Sequence, residues 1–261
     1  MIDSSISRFN ALSPSANLKL YMPPTTPIAG QLNETERRLL TEAITHSAVK
    51  PKVVMEVGTW LGGGSTLHIL RALEKNDAGH LWGIEVDRST YDKMLANIKA
   101  AAPEASGRFT PLFGYSQDII RQWLADQGAN ARVDFAFLDG GNNPREQIEE
   151  FQLLDPVIPV GGQFMAHDAK IRKGKWLVPY LSRLDNWQTQ LHDVSDEGLL
   201  YAKKIAAAPS ASSRQAARRE LFFRQCHPLE IAASILPAGV CGFFLGLLPR
   251  RFSRRVSDGR K

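Results

Sequence analysis

The sequence predicts an α/β fold: a doubly wound, mostly parallel sheet of seven strands, finished by an antiparallel terminal hairpin. Three observations predict it. Short apolar runs alternate with helix-length stretches from residue 53 onward, which is the pattern of βαβ units joined by right-handed crossovers. The run VDFAFL at 133–138 is almost continuously apolar, as a strand buried on both faces requires. The last two strand-like runs are separated by only Ser195, Asp196 and Glu197, a spacing that suits a hairpin and not a crossover.

The elements follow in order. Residues 1–32 are rich in Ser, Pro and Thr (MPPTTP at 22–27) and read as an irregular segment. Asn33-Glu-Thr-Glu36 has the form of a helix cap with a carboxylate three residues on, and Leu39, Leu40, Ala43 and Ile44 continue it as an apolar stripe. Strands are expected at 53–57, 81–86, 109–113, 133–138 and 162–166, with helices at 64–75, 89–101, 116–127 and 144–154 between them. A further helix is expected over Trp176–Leu184, and the hairpin over 187–194 and 198–205. The domain therefore spans 33–206. Residues 207–219 (AAPSASSRQAARR) read as a linker, and 220–261 as an apolar and basic tail.

With 261 residues and 43% apolar composition, the chain has enough material for one ample core. The net charge of +5 is concentrated: from Arg214 onward nine Arg and one Lys face only Glu220, Glu230 and Asp258. The rest is near neutral, which argues against a nucleic-acid partner, since that needs a basic face on the folded domain. Cys226 and Cys241 both lie in the last fifth of the chain, so no disulfide framework or zinc spacing falls in the domain. A reducing, cytoplasmic setting fits, and the first residues show no signal-peptide pattern. The stretch 231–248 has eighteen uncharged residues, interrupted by Pro237, Gly239, Gly242 and Gly246 and flanked by arginines on both sides. Spanning a bilayer takes about 20 residues, so the expectation is peripheral contact of 231–255 with the inner face of a membrane. Docking on protein is the alternative.

Ligands of doubly wound sheets bind at the carboxyl ends of the strands, and the chemistry-bearing residues fall there. EVGTWLGGGST at 56–66 is a strand end, a glycine turn and a helix start. It lacks the G-x-G-x-x-G of dinucleotide sites, and Gly64 stands where a P-loop needs Lys. Glu56, two residues before Gly58, suits a ligand whose near end is cationic and carries no phosphate. S-adenosylmethionine (SAM), with its ammonium and sulfonium, is such a ligand. Gly58 and Gly62 would allow positive φ or close backbone approach. In GIEVD, Glu85 can accept from ribose hydroxyls, and Asp87 can cap the next helix. In GYSQD, Ser116 and Gln117 suit an adenine edge, although Ser116 could equally be a helix cap. Asp139 (LDGG) ends the fourth strand, and His167 and Asp168 (AHDAK) follow the fifth. The two aspartates could share a hard divalent cation such as magnesium through oxygen ligands. They could instead orient a substrate hydroxyl, with His167 as general base near neutral pH.

On these motifs, residues from about 33 to 205 resemble class I SAM-dependent methyltransferases. Within them the chain is similar to the small-molecule O-methyltransferases related to catechol O-methyltransferase and to the bacterial methyltransferase 24 family. The resemblance implies a seven-stranded Rossmann-like sheet. It places Glu56, Gly58 and Trp60 at the methionine portion of SAM, Glu85 at the ribose, and Ser116 and Gln117 at the adenine. It puts Asp139 and Asp168 at the positions of two metal-binding aspartates. Two positions depart from it. Ala169 stands where metal-dependent relatives carry Asn, and Asn142 where catechol-type enzymes carry a catalytic Lys. The implied activity is methyl transfer to a hydroxyl of a small molecule or glycan. The alternative is a non-catalytic SAM-fold protein acting as a binding or membrane-tethered scaffold.

Overall fold

Every expected strand forms, with ends within two residues of those expected. The structure, a computed structural model, describes residues 28–226. The apolar run 231–248, the basic flank to 255 and Cys241 lie outside the described residues, as does the sequence before Ile28. Among the described residues no helix is long and apolar enough to cross a membrane.

The chain runs α1 (Glu34–Thr45), β1 (Val53–Val57), α2 (Thr66–Lys75), β2 (His80–Glu85), α3 (Arg88–Ala101), β3 (Phe109–Phe113), α4 (Ser116–Gln127), β4 (Phe135–Leu138), α5 (Pro144–Leu154), β5 (Gln163–His167), α6 (Leu177–Leu181), β6 (Trp187–His192), β7 (Leu199–Lys204) and α7 (Ala211–Gln225). The sheet order is β3-β2-β1-β4-β5-β7-β6. The first five strands are parallel, and β7 is antiparallel to both β5 and β6. The strand order reverses between β1 and β4, which is where such sheets open a cleft.

Helices cover both faces. On one, Leu40 and Ile44 of α1, Leu70 and Leu73 of α2 and Met94 of α3 pack on Val54, Phe135, Phe137 and Met165. On the other, Trp123 of α4, Phe151 of α5, Leu177 and Leu181 of α6 and Ala217 of α7 pack on Ala136, Leu138 and Phe164. The strand residues on the two lists alternate, as the period-2 pleat demands. The expected cap at Asn33 forms as a full capping box: its side chain accepts from the Glu36 backbone, and the Glu36 carboxylate accepts from the Asn33 backbone.

One reading is corrected. The supposed linker 207–219 is irregular only up to Ser210, whose side chain caps α7. Of the Ser and Pro residues that suggested a linker, Pro209 and Ser210 form the approach and the cap, and Ser212 and Ser213 lie in the first turn of α7. The alanines and arginines beyond are good helix formers, and Ala217 is buried against the α6 layer.

Phe164 is fully buried and meets Phe151 edge-on at 5.0 Å between ring centroids. Removing its ring leaves a cavity between β5 and α5. Phe164→Ala should therefore lower unfolding free energy by about 3–5 kcal/mol, measured by urea denaturation; a loss below 1 kcal/mol would show that this layer is not tightly packed.

Candidate active site

The sheet register builds the site. Val57 pairs with Ile84 on one side and Leu138 on the other, and Leu138 pairs with Ala166. One residue further on, Glu85, Gly58, Asp139 and His167 stand in a row across four adjacent strand ends. Glu56 lies one pleat repeat behind Gly58 and shares its face. Alternation thus aims these acidic side chains and His167 toward the face covered by α1 and α2.

The glycine turn is shaped by its contacts. Gly58 and Gly62 adopt positive φ of 87° and 86°, as expected for residues freed from a Cβ. A Cβ on Gly58 would meet the Gly140 nitrogen at 2.5 Å. Gly63 and Gly64 have another purpose: the segment 28–30 crosses directly over them, and a Cβ on Gly63 would lie 2.3 Å from the Ile28 carbonyl oxygen. Trp60 also has positive φ, 45°, and its backbone N–H donates to Glu85 Oε2 at 2.9 Å. Glu85 Oε1 accepts from the backbone of Val86 and Asp87. Glu85 therefore ties the turn to β2 and keeps lone pairs for further donors. Asp87 caps α3.

Glu56 is fully buried. Its Oε1 accepts from Ser65, and its Oε2 has no partner. Burial pushes its pKa up to about 8 against the Ser65 hydrogen bond, and Asp139 and Glu85 add to the rise; the nearby Thr66 hydroxyl donates to the Thr59 carbonyl. An unpartnered carboxyl oxygen in such a place is the kind of group that a cationic ligand satisfies. Ser116 does not cap α4. Its hydroxyl donates to Glu150 of α5, and Gln117 sits half-buried beside it.

A second group of charges lies at the other end of the row. His167, 3% exposed, directs Nδ1 at Asp139 Oδ1 (3.2 Å) and Asp168 Oδ1 (3.3 Å), and Nε2 at Glu36 Oε1 (3.4 Å). Lys173, equally buried, places Nζ 2.9 Å from Asp139 Oδ1 and 2.6 Å from Asp168 Oδ2. Three carboxyl groups thus face two cationic groups. Burial alone would lower the pKa of His167, but the Asp139 hydrogen bond and the charges of Asp139, Asp168 and Glu36 outweigh it and raise it to about 9. Burial works the same way on Lys173, and the two aspartates again more than offset it. Asp139 is held below the ordinary carboxylate range: its burial opposes ionisation, and Lys173 and His167 overcome that. Asp168 adopts φ 60°, a left-handed conformation that Asp tolerates better than most residues.

Residues 55–169 match a family described as "Methyltransferase domain". This stretch is similar to that methyltransferase family. The chain is 28% identical over 155 residues to a caffeoyl-CoA O-methyltransferase from Stellaria longipes, covering 59% of this chain and 57% of the relative. Among solved structures it is similar to the O-methyltransferase from Bacillus cereus in complex with SAH (TM-score 0.52, 18% identity, 67% of this chain and 82% of that one). It is likewise similar to the SAH-bound methyltransferase of Podospora anserina (TM-score 0.53, 12% identity, 67% and 80%). These likenesses show the fold.

The strand ends bring Asp139, His167 and Asp168 together as expected, with ligand atoms all within 4.8 Å of one another. Two expected roles meet a neighbour that the sequence did not point to. A magnesium ion between Asp139 and Asp168 would compete with the Lys173 ammonium, which lies against the same carboxylate oxygens. For His167, the Asp139 hydrogen bond and the surrounding carboxylates favour the protonated imidazole, which a general base has to give up first. Sequence reasoning missed three members of the site. Lys173 was visible only as a basic residue in the IRKGK run after the fifth strand. Glu36 was recognised for its cap alone. Glu150 carried no signal at all.

Glu150 provides a test of this polar interior. Burial pushes its carboxyl up to about 8, against the Ser116 hydrogen bond and nearby Lys173. The folded state therefore binds more protons than the unfolded one between about pH 4.5, the ordinary glutamate value, and pH 8. That contribution to stability is complete below 4.5 and is lost as pH rises through 8. Glu56 acts in the same sense. Glu150→Gln should make the fall in urea midpoint from pH 5 to 8.5 shallower, though not flat; an unchanged profile would show that Glu150 does not titrate there.

Proposed function

We propose that this domain is a SAM-dependent O-methyltransferase acting on a hydroxyl of a small molecule. The observation that carries the reading is the strand-end row, which sets an unsatisfied buried carboxyl at Glu56 and a hydrogen-bonding carboxylate at Glu85 beside the charged group around Asp139. The named activity of the Stellaria longipes relative favours an oxygen acceptor, and a small molecule over a glycan. The chain spans 57% of that relative's length, so substrate and activity are inferred for this chain rather than transferred whole.

When bound, SAM supplies a methyl group on a positive sulfur that leaves as a neutral thioether. Glu56 would receive the ammonium of its methionine portion. Glu85 would receive ribose hydroxyls while still holding Trp60. Ser116 and Gln117 would flank the adenine from the start of α4. Asp139, Asp168 and Lys173 would hold the acceptor hydroxyl in line with the methyl group, where orientation supplies much of the rate. The acceptor's proton passes to this cluster, which has one more carboxyl group than it has cations. His167 acts there as the imidazolium that keeps Asp139 ionised.

A non-catalytic scaffold is the weaker reading. Keeping a carboxyl buried with an unsatisfied oxygen destabilises a protein unless a ligand completes it. Calorimetric titration with S-adenosylhomocysteine tests the donor site: the wild type should bind one equivalent. Glu85→Ala should weaken that binding by about tenfold or more, the range for lost hydrogen bonds to a charged group. No heat of binding from folded wild-type protein would remove the proposal. Methyl transfer from labelled SAM to a panel of catechols and hydroxycinnamoyl thioesters then tests the acceptor class.

A further inference from the structure

We propose that the Lys173 ammonium is a built-in replacement for a divalent cation, so that this site works without a metal. The idea that it serves the acceptor rests on the methyl-transfer reading above. The claim that it takes the cation's place does not.

Three features of the chain carry it. First, Lys173 Nζ bridges Asp139 Oδ1 and Asp168 Oδ2 at 2.9 and 2.6 Å while the side chain is 3% exposed. A buried ammonium between two largely covered carboxylates, 6% and 14% exposed, is not a solvated surface pair, and displacing it would strand an uncompensated charge. Second, the position is built by the backbone. Asp168 stands at φ 60°, and its carbonyl accepts from the Gly174 N–H at 3.1 Å, so the turn 168–174 folds back on itself. A Cβ on Gly174 would meet the Ala169 backbone at 2.5 Å. This close approach aims the Lys173 stem at the aspartates. Third, the ligand set for a hard cation is incomplete. Calcium and magnesium sites need six or more oxygen ligands, with waters filling those the protein does not supply. Here the residue after Asp168 is Ala169, buried and without a donor, and Asn142 is exposed on the facing loop.

An ammonium has three N–H donors. Two are directed at Asp139 and Asp168, which leaves one for an acceptor oxygen. Lys173 thereby supplies from the fifth-strand loop the positive group that position 142 lacks.

The test uses the full chain and Mn²⁺, with free ion counted by electron paramagnetic resonance. Wild type should show no saturable site tighter than about 1 mM, the weak end of oxygen-ligand sites. Lys173→Ala frees Asp139, His167 and Asp168 and should gain a site at least about tenfold tighter. Adding Asp139→Asn to Lys173→Ala should abolish that gain. Should Lys173→Ala fail to melt cooperatively, Lys173→Gln is read in the same way. A sub-millimolar Mn²⁺ site in wild type that Asp168→Asn removes would overturn the proposal. So would a folded Lys173 variant that gains no site. Neither measurement needs an acceptor, so failure here is separate from failure to detect methyl transfer.

Discussion

The site depends on the register of a parallel sheet. In parallel strands with matched pairs, residues of equal register project to the same face. Because Val57 pairs with both Ile84 and Leu138, the next residues of β2 and β4 must carry Glu85 and Asp139 to one side. Because Leu138 pairs with Ala166, His167 joins them. A slip of one residue in any pair would turn a carboxylate into the opposite helix layer. The apolar alternation of β4 and β5 prevents this: Phe135, Phe137 and Met165 fill one layer and Ala136, Leu138 and Phe164 the other. The packing that stabilises the sheet is thus the device that aligns its chemistry.

Charge balance is the second constraint. Glu36, Asp139 and Asp168 converge from α1 and from the ends of β4 and β5, in a place with little solvent. Like charges so placed repel and resist ionisation. His167 and Lys173 resolve the conflict by sitting between them. Their elevated pKa values and the depressed value at Asp139 are two sides of one interaction. Glu36 also accepts from Ser195 in the turn between β6 and β7, so the terminal hairpin is anchored to the same group.

What was legible in the sequence was what depends on neighbours in the chain. Strand 133–138 showed itself by its unbroken apolar run, the α1 cap by Asn33 and Glu36, and the glycine turn by Gly58 and Gly62. The row of Glu56, Glu85, Asp139 and His167 followed from the rule that ligands meet strand ends. What escaped depends on distant partners. Lys173 matters because a turn through Asp168 and Gly174 points it inward, and no spacing rule encodes that turn. Glu150 pairs with Ser116 across 34 residues, and Gly63 and Gly64 are explained by a crossing of residues 28–30. The start of α7 was misread because Ser and Pro at 209–213 serve a cap as well as they serve a linker.

Replacing a divalent cation by an ammonium alters which acceptors the site can serve. At equal distance and dielectric, one positive charge stabilises an oxyanion half as strongly as two. Lys173 also shares its charge with Asp139 and Asp168, so less is left for the acceptor. A metal-bearing site can lower the pKa of a reluctant hydroxyl by several units; this one gives a smaller push. The acceptors that suit it are hydroxyls already close to ionising, of the phenol type near pKa 10 rather than alkyl alcohols. An alkyl alcohol, with a pKa several units higher, would leave the proton on the acceptor oxygen and the oxygen a poor nucleophile.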